Sequence, residues 1–107
     1  MNRKDKGDKA ERARQTYWES KGAVVFPVSP NHPGVDLIVF CPKDWIFPVI
    51  LSEVKGQKAR LYGKTRTAAH YKLWRAAAAV RAATGLEVAV ELVHVHPDTG
   101  EQEVLSS

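Results

Sequence analysis

The sequence has little of several features that define whole classes of protein. It contains one cysteine, Cys41, so an internal disulfide and a cysteine-rich zinc site are excluded. It has no apolar run of membrane-spanning length, and its N-terminus is charged where a signal peptide would be apolar. We find no internal repeat, no phosphate-binding glycine loop and no Ser-His-Asp arrangement. We therefore expect no membrane partner and an intracellular protein, cytoplasmic and nucleoid-associated, or in the host cytoplasm if viral.

Acidic residues are absent from one long stretch of the chain. Residues 54–81 contain no Asp or Glu but eight basic residues, Lys55, Lys58, Arg60, Lys64, Arg66, Lys72, Arg75 and Arg81. Another six basic residues lie in the first fourteen positions, whereas residues 82–107 carry five acidic residues and no Lys or Arg. A solvated basic surface would explain such a block, but its arrangement favours a polyanionic partner, and we expect nucleic acid.

Length and periodicity predict one domain of the α/β class. The 107 residues suit a single domain at positions 8–107, preceded by a flexible basic arm at positions 1–7. Apolar spacing and turn residues predict the order αβββαββ, a mixed central sheet flanked by helices. The predicted helices cover residues 8–20 and 67–84, and the predicted strands residues 23–26, 35–40, 47–55, 87–95 and 101–105.

The most informative pattern is Asp36 followed by Glu53-Val54-Lys55. Both parts lie in apolar, strand-like segments that together predict a β-hairpin. Because strand side chains alternate between faces, Glu53 and Lys55 should emerge on the same side, and Asp36 should lie near them at the open end of the hairpin. Two carboxylates and an ammonium arranged in this way suit metal-assisted attack of water on a phosphodiester.

The spacing alone is a weak signal, because acid and lysine pairs are common on exposed strands. Its placement is more informative. Asp36 is the only charged residue between Lys21 and Lys43, and Glu53 follows an apolar run. Carboxylates rarely lie so close to core strands without a partner or a metal.

Glu11 has two interpretations. It lies seven residues before Trp18, so it shares a helix face with that ring and borders the core. Alternatively, Asp8 and Glu11 have the spacing of a capping box, in which Glu11 would only satisfy backbone donors. The sequence by itself slightly favours the cap.

Taken together, the segments around these residues resemble a known family. Ala10-Glu11-Arg12, Gly22-Ala23-Val24-Val25, Val35-Asp36-Leu37-Ile38-Val39 and Glu53-Val54-Lys55 are similar to the archaeal-type Holliday junction resolvases of the PD-(D/E)XK nuclease superfamily. The resemblance covers about residues 3–95. Phe26-Pro27 departs from it, because members often carry an arginine there.

The resemblance implies a restriction-endonuclease-like fold and a set of catalytic roles. Asp36, Glu53 and the backbone carbonyl of Val54 would bind Mg²⁺, for which Mn²⁺ would substitute. Lys55 would position the attacking water and stabilise the developing charge. Glu11 would join the metal shell directly or through water, which reverses the preference for a cap.

The implied activity is that of a metal-dependent DNA endonuclease that resolves four-way junctions by paired nicks. Arg12 would contact a phosphate and Ser29 would approach the scissile strand. The wider set of expected DNA contacts is basic and comprises Arg3, Lys4, Lys58, Arg60, Lys64 and Arg66. The alternatives are another small nuclease of the superfamily, of the flap, repair or VRR type, and a non-catalytic DNA-binding module.

The long second helix predicts a homodimer. One apolar stripe, Ala69, Leu73, Ala76, Val80 and Ala83, can cover the sheet. The opposite stripe, Tyr71, Trp74, Ala78 and Ala82, needs a partner, and a two-fold dimer supplies one. The alternative is a helix enclosed within its own domain.

The histidines give weaker signals. His94 and His96 have the spacing of a metal pair on one strand face, although a strand end entering a turn explains them better. The roles of His32 and His70 stay open.

Overall fold

The computed structural model describes residues 3–28, 34–56 and 64–106, with the backbone alone at residues 3–6, 64–67 and 106. Within these ranges the elements follow in the predicted order αβββαββ. They are α1 (Arg3–Glu19), β1 (Val24–Pro27), β2 (Leu37–Phe40), β3 (Val49–Lys55), α2 (Lys64–Thr84), β4 (Val88–Val95) and β5 (Gln102–Ser106).

The strands of the described residues form one mixed sheet in the order β1-β2-β3-β4-β5. β3 and β4 are parallel, and the other neighbouring pairs are antiparallel. The predicted hairpin is confirmed, since β2 and β3 pair from Phe40↔Val49 to Leu37↔Ser52. A parallel pair needs a long crossover, and α2 lies in the chain between β3 and β4. The predicted α/β class is therefore confirmed.

Side-chain alternation along the central strands produces two apolar layers. On one side Trp18 of α1 packs with alternate residues of the strands, among them Leu37, Ile50, Val54 and Val93. On the other side α2 packs with the intervening residues, and this layer contains Leu51, Leu73, Ala77, Val90 and Leu92. Each face of the sheet is thus covered by one helix.

The two predicted stripes of α2 have different environments. Leu73 is fully buried, and Ala69, Ala76 and Val80 pack against the same layer, as expected, whereas Ala83 is exposed. All four residues of the second stripe are exposed, including the large side chains of Tyr71 and Trp74.

Among the described residues, no helix is long and apolar enough to cross a membrane.

Both helices begin earlier than predicted. α1 begins at Arg3 and not at residue 8, so residues 3–7 of the predicted flexible arm are helical. α2 begins at Lys64 and not at residue 67. The prediction assigned the basic residues before position 8 to a flexible arm. Lysine and arginine are good helix formers, and one interior glycine costs only about 1 kcal/mol.

The early start of α1 contradicts the capping box. Asp8 lies five residues inside a helix that begins at Arg3, where the backbone N–H groups already have helical partners. Asp8 therefore does not cap the helix, and Glu11 is not engaged in a reciprocal cap.

We predict that Asp8→Ala changes the free energy of unfolding by less than about 0.5 kcal/mol, as is usual for an exposed position without a special role. Loss of a true N-cap would cost about 1 kcal/mol. Denaturant unfolding at neutral pH distinguishes the two values. A loss near the larger value would restore the capping box.

Candidate active site

The site is built at a strand edge that β2 leaves open. β2 pairs with β3 only as far as Leu37↔Ser52, although β3 continues to Lys55. Asp36 immediately precedes β2, and its backbone N–H donates to the Ser52 carbonyl at 2.8 Å. Its carboxylate Oδ2 accepts from the backbone N–H of Val54 at 2.7 Å. A side chain thus takes the place of the missing strand, and this fixes the Asp36 carboxylate at the open edge.

The segment before Asp36 is held tightly against α2. Gly34 has a φ of +89°, and a Cβ atom added to it would lie 2.7 Å from the Cβ of Lys72. Only glycine suits both the backbone conformation and the close approach. This contact between the loop and α2 helps to set where Asp36 enters the sheet.

Glu53 and Lys55 lie together on one face of β3, as predicted. The Lys55 Nζ atom is 2.6 Å from Glu53 Oε1. Glu53 is buried, while the side chain of Lys55 is 39% exposed and so reaches solvent. The second carboxylate oxygen, Glu53 Oε2, is buried and has no hydrogen-bond partner among the residues that the structure describes. An unsatisfied carboxylate oxygen is costly to bury, and a cation or a water molecule at this atom would relieve that cost.

Glu11 approaches the same edge from α1. Its side chain is half-buried and lies close enough to the Asp36 carboxyl group for the two to share a proton, which contributes to the raised pKa of Glu11. The structure therefore brings Glu11, Asp36, Glu53 and Lys55 together, although they lie in three separate segments of the sequence. Their convergence was predicted; their catalytic roles remain predictions.

The electrostatics of the cluster are dominated by burial and by repulsion between carboxylates. Burial is the main cause that raises the pKa of Glu11 to about 7. The charge of Asp36 and hydrogen bonding with its carboxyl group act in the same direction. Burial and the charge of Glu53 raise the pKa of Asp36 to about 6. Burial alone would lower the pKa of Lys55, but the hydrogen bond and charge of Glu53 outweigh it and raise that pKa. The cluster thus holds protons where isolated carboxyl groups would have lost them.

The donor set fits a partly hydrated divalent cation. Among the described residues, no group of three or more His, Cys, Asp or Glu side chains is placed to hold a metal ion. Mg²⁺ does not require one, because it commonly binds one or two carboxylates and keeps water and phosphate oxygens as its other ligands. Asp36 and the unpartnered Oε2 of Glu53 provide two carboxylates. The Val54 carbonyl points to the same edge as the Val54 N–H, which is where Asp36 lies.

A cleft of about 370 Å³ opens beside Glu11. Its walls combine α1 with the ends of β1 and β2. The lining residues are Asp8, Glu11, Arg12, Gln15, Pro27 and Leu37. Arg12, an expected phosphate contact, is exposed at this cleft. Of the carboxylate cluster, Glu11 lines this cleft and is reached from solvent through it.

Several of the expected DNA contacts lie outside the part of the chain whose side chains the structure describes. Ser29, Lys58 and Arg60 lie outside the described residues, as does His32. For Arg3, Lys4, Lys64 and Arg66 the structure describes the helical backbone but not the side chain. These residues remain expectations from the sequence.

The His94 and His96 pair is accounted for by the end of β4. His96 follows the strand, and its Nδ1 atom accepts from the backbone N–H groups of Asp98 and Thr99 at 3.2 Å and 3.3 Å. His94 is buried within β4. Since His96 is engaged by the turn, the turn interpretation is supported over a metal pair.

Sequence reasoning missed a buried polar network next to the cluster. Arg14 of α1 forms a bidentate ion pair with Glu91 of β4, and both are buried. The signal was present, because Glu91 is the only charged residue in the apolar strand Val88–Val95. Its partner lies 77 positions away, and no local pattern connects the two.

Comparison with models of protein families, with curated proteins and with solved structures finds no match to this chain.

We predict that the metal-free protein loses stability as pH rises from about 4 to 7. In this window the folded state binds more protons than the unfolded state, because the pKa values of Glu11 and Asp36 are raised to about 7 and about 6. The free energy of unfolding therefore falls as these groups ionise. Thermal unfolding of the protein and of Asp36→Asn across this range measures the effect. The variant should show a flatter profile, and equal profiles would contradict the assignment of the raised pKa values.

Proposed function

We propose that this protein is a metal-dependent DNA endonuclease that hydrolyses phosphodiesters and resolves four-way junctions by paired nicks. The observation that supports this most strongly is the buried, unpartnered Glu53 Oε2 beside Asp36 and Lys55 at an open strand edge. A mixed sheet with one helix on each face supports the finer proposal of a restriction-endonuclease-like fold. Such a protein would act on intracellular DNA.

The carboxylates would hold the cation. Asp36, Glu53 and the Val54 carbonyl are the proposed ligands of Mg²⁺, with Mn²⁺ as a substitute, and Glu11 joins directly or through water. Bound Mg²⁺ supplies positive charge beside the scissile phosphate and lowers the pKa of water. Glu11 and Asp36 must lose their protons to bind it, so their raised pKa values make cation affinity increase with pH.

Lys55 would act on the water and on the developing charge. In the absence of a cation its ammonium pairs with Glu53 Oε1 and partly neutralises the cluster. Its exposed end can reach a phosphate in solvent contact, where a fixed positive charge stabilises the negative charge that develops during attack.

DNA recognition would depend on phosphates and shape. The basic residues are spread over the N-terminal part of α1, residues 56–65 and α2, and are not gathered on one exposed recognition helix. The inner face of α2 is committed to the sheet, which prevents that face from filling a major groove. Contacts of this kind fix position on the DNA without reading bases.

The alternatives make different predictions for substrate choice. A non-catalytic DNA-binding module would gain nothing from buried carboxylates near phosphates, so the cluster favours an enzyme. A flap- or repair-type nuclease would share the cluster. Mg²⁺-dependent cleavage of synthetic four-way junctions, flaps and duplexes distinguishes the three. Preference for the junction supports the proposal, preference for flaps supports the rival nuclease, and binding without cleavage supports the module.

We predict that Asp36→Asn and Glu53→Gln each reduce the cleavage rate by about 10²–10³-fold or more. Junction binding should be retained or strengthened, because each change removes a negative charge near the phosphates. Asp44→Asn removes an exposed carboxylate from the turn between β2 and β3 and serves as the matched control. Cleavage at the wild-type rate by either site variant would exclude the assignment.

We also propose a homodimer through the exposed stripe of α2. Tyr71 and Trp74 are 62% and 55% exposed, and Ala78 and Ala82 beside them would allow close approach of a second helix. A two-fold dimer would present two sites to the opposing strands of a junction.

Trp74→Glu should make the protein monomeric and weaken junction binding, because it places a charge in the proposed interface. Ala79→Glu introduces the same charge at another exposed position of α2 and should leave the dimer intact. Sedimentation at micromolar concentration measures both. A monomeric wild-type protein would rule out the proposed dimer.

A further inference from the structure

A buried ion pair joins α1 to the centre of the sheet. Arg14 Nε donates to Glu91 Oε2 at 2.9 Å, and Arg14 Nη2 donates to Glu91 Oε1 at 2.6 Å. The two side chains are only 4% and 7% exposed. A bidentate contact fixes the direction as well as the distance between the groups.

Further hydrogen bonds complete this network. Glu91 Oε2 also accepts from Trp18 Nε1 at 3.0 Å and from Ser52 Oγ at 2.7 Å. Arg14 Nη1 donates to Gln102 Oε1 at 2.8 Å. The network thus connects α1 with β3, β4 and β5, and both oxygens of Glu91 have donors.

Stability is a poor explanation for such a network. Desolvation of two charges offsets much of their attraction, and well-packed apolar side chains of similar size often stabilise a protein as well or better. What a bidentate pair adds over apolar packing is a defined orientation of the helix on the sheet.

That orientation matters at the carboxylate cluster. Arg14 is three residues after Glu11, so the two side chains lie on the same side of α1, one turn apart. Ser52 precedes Glu53, and its carbonyl accepts the Asp36 N–H at 2.8 Å. The network therefore holds both elements that contribute carboxylates.

Like charges at the cluster oppose the close approach of α1 to the sheet. An ionised Glu11 would be repelled by Asp36 and Glu53, and that force is directed away from the sheet. The attraction between Arg14 and Glu91 acts in the opposite direction one turn along the helix.

We propose that Arg14 and Glu91 are positioning residues, which hold Glu11 against Asp36 at the open edge of β3. This inference rests on the proposed endonuclease function for its catalytic consequence, but not for the geometry that it asserts.

The test replaces the pair by apolar side chains of similar size, in the double variant Arg14→Met/Glu91→Leu, which leaves no unpaired buried charge. We expect kcat for junction cleavage to fall about 100-fold, as a misplacement of about 1 Å can produce, with KM for the junction little changed. Leu73→Ala in the opposite apolar layer is the control for a general loss of stability. It should leave kcat nearly unchanged at a temperature where it is folded.

A double-mutant cycle with Glu11→Gln separates positioning from a structural role. If the network acts through Glu11, replacing the network in a protein that already carries Glu11→Gln should lower kcat by less than about 3-fold. A full 100-fold loss in both backgrounds would overturn the proposal. If the apolar double variant does not fold, Gln102→Ala removes one contact of Arg14 and should reduce kcat about 10-fold with the same dependence on Glu11.

A crystal structure of the folded variant, with the network replaced or reduced, tests the geometry without any assay. The expected result is that Glu11 moves away from Asp36 while the sheet is unchanged. Glu11 found at its original place would overturn the proposal even if the wild-type protein cleaves DNA. An inactive wild-type protein would remove the proposed function, and the crystal structure would still decide the positioning role.

Discussion

Three carboxyl groups are brought close together at the open edge of β3, and their repulsion has to be offset by the elements around them. Asp36, Glu53 and Glu11 meet there, and their mutual repulsion is relieved by protons and by one lysine. Burial strengthens that repulsion, so the metal-free arrangement is costly, which supports the proposed cation site. Within the described part of the chain Glu53 Oε2 has no donor, so the relief at this atom is incomplete.

The architecture holds these groups in place against that cost. An apolar layer on each face of the sheet fixes the strands, and the Asp36 carboxylate takes the place of a missing strand by accepting the Val54 N–H. The Arg14–Glu91 pair fixes the helix that carries Glu11. Each contribution is local and modest. Together they keep the carboxyl groups of Glu11, Asp36 and Glu53 close to one another despite their repulsion.

The order of elements and the hairpin that brings Asp36 to Glu53 could be predicted from the sequence, because both follow from short-range periodicity. Helix starts could not, since lysine, arginine and Gly7 fit either a helix or a polar arm. The role of Glu11 depended on that start: Asp8 could cap only a helix beginning near residue 8. The Arg14–Glu91 network was missed because it forms across the sheet between distant segments, and no local spacing specifies such a pair.

Calorimetric titration of the protein with Mg²⁺ near pH 7, in buffers of different ionisation enthalpy, tests the central claim most directly. If the cluster is a cation site, Mg²⁺ binds and protons are released, because Glu11 and Asp36, with pKa values of about 7 and about 6, must ionise further. The binding should be lost in Glu53→Gln. Absence of Mg²⁺ binding, or equal binding and proton release in that variant, would contradict the claim.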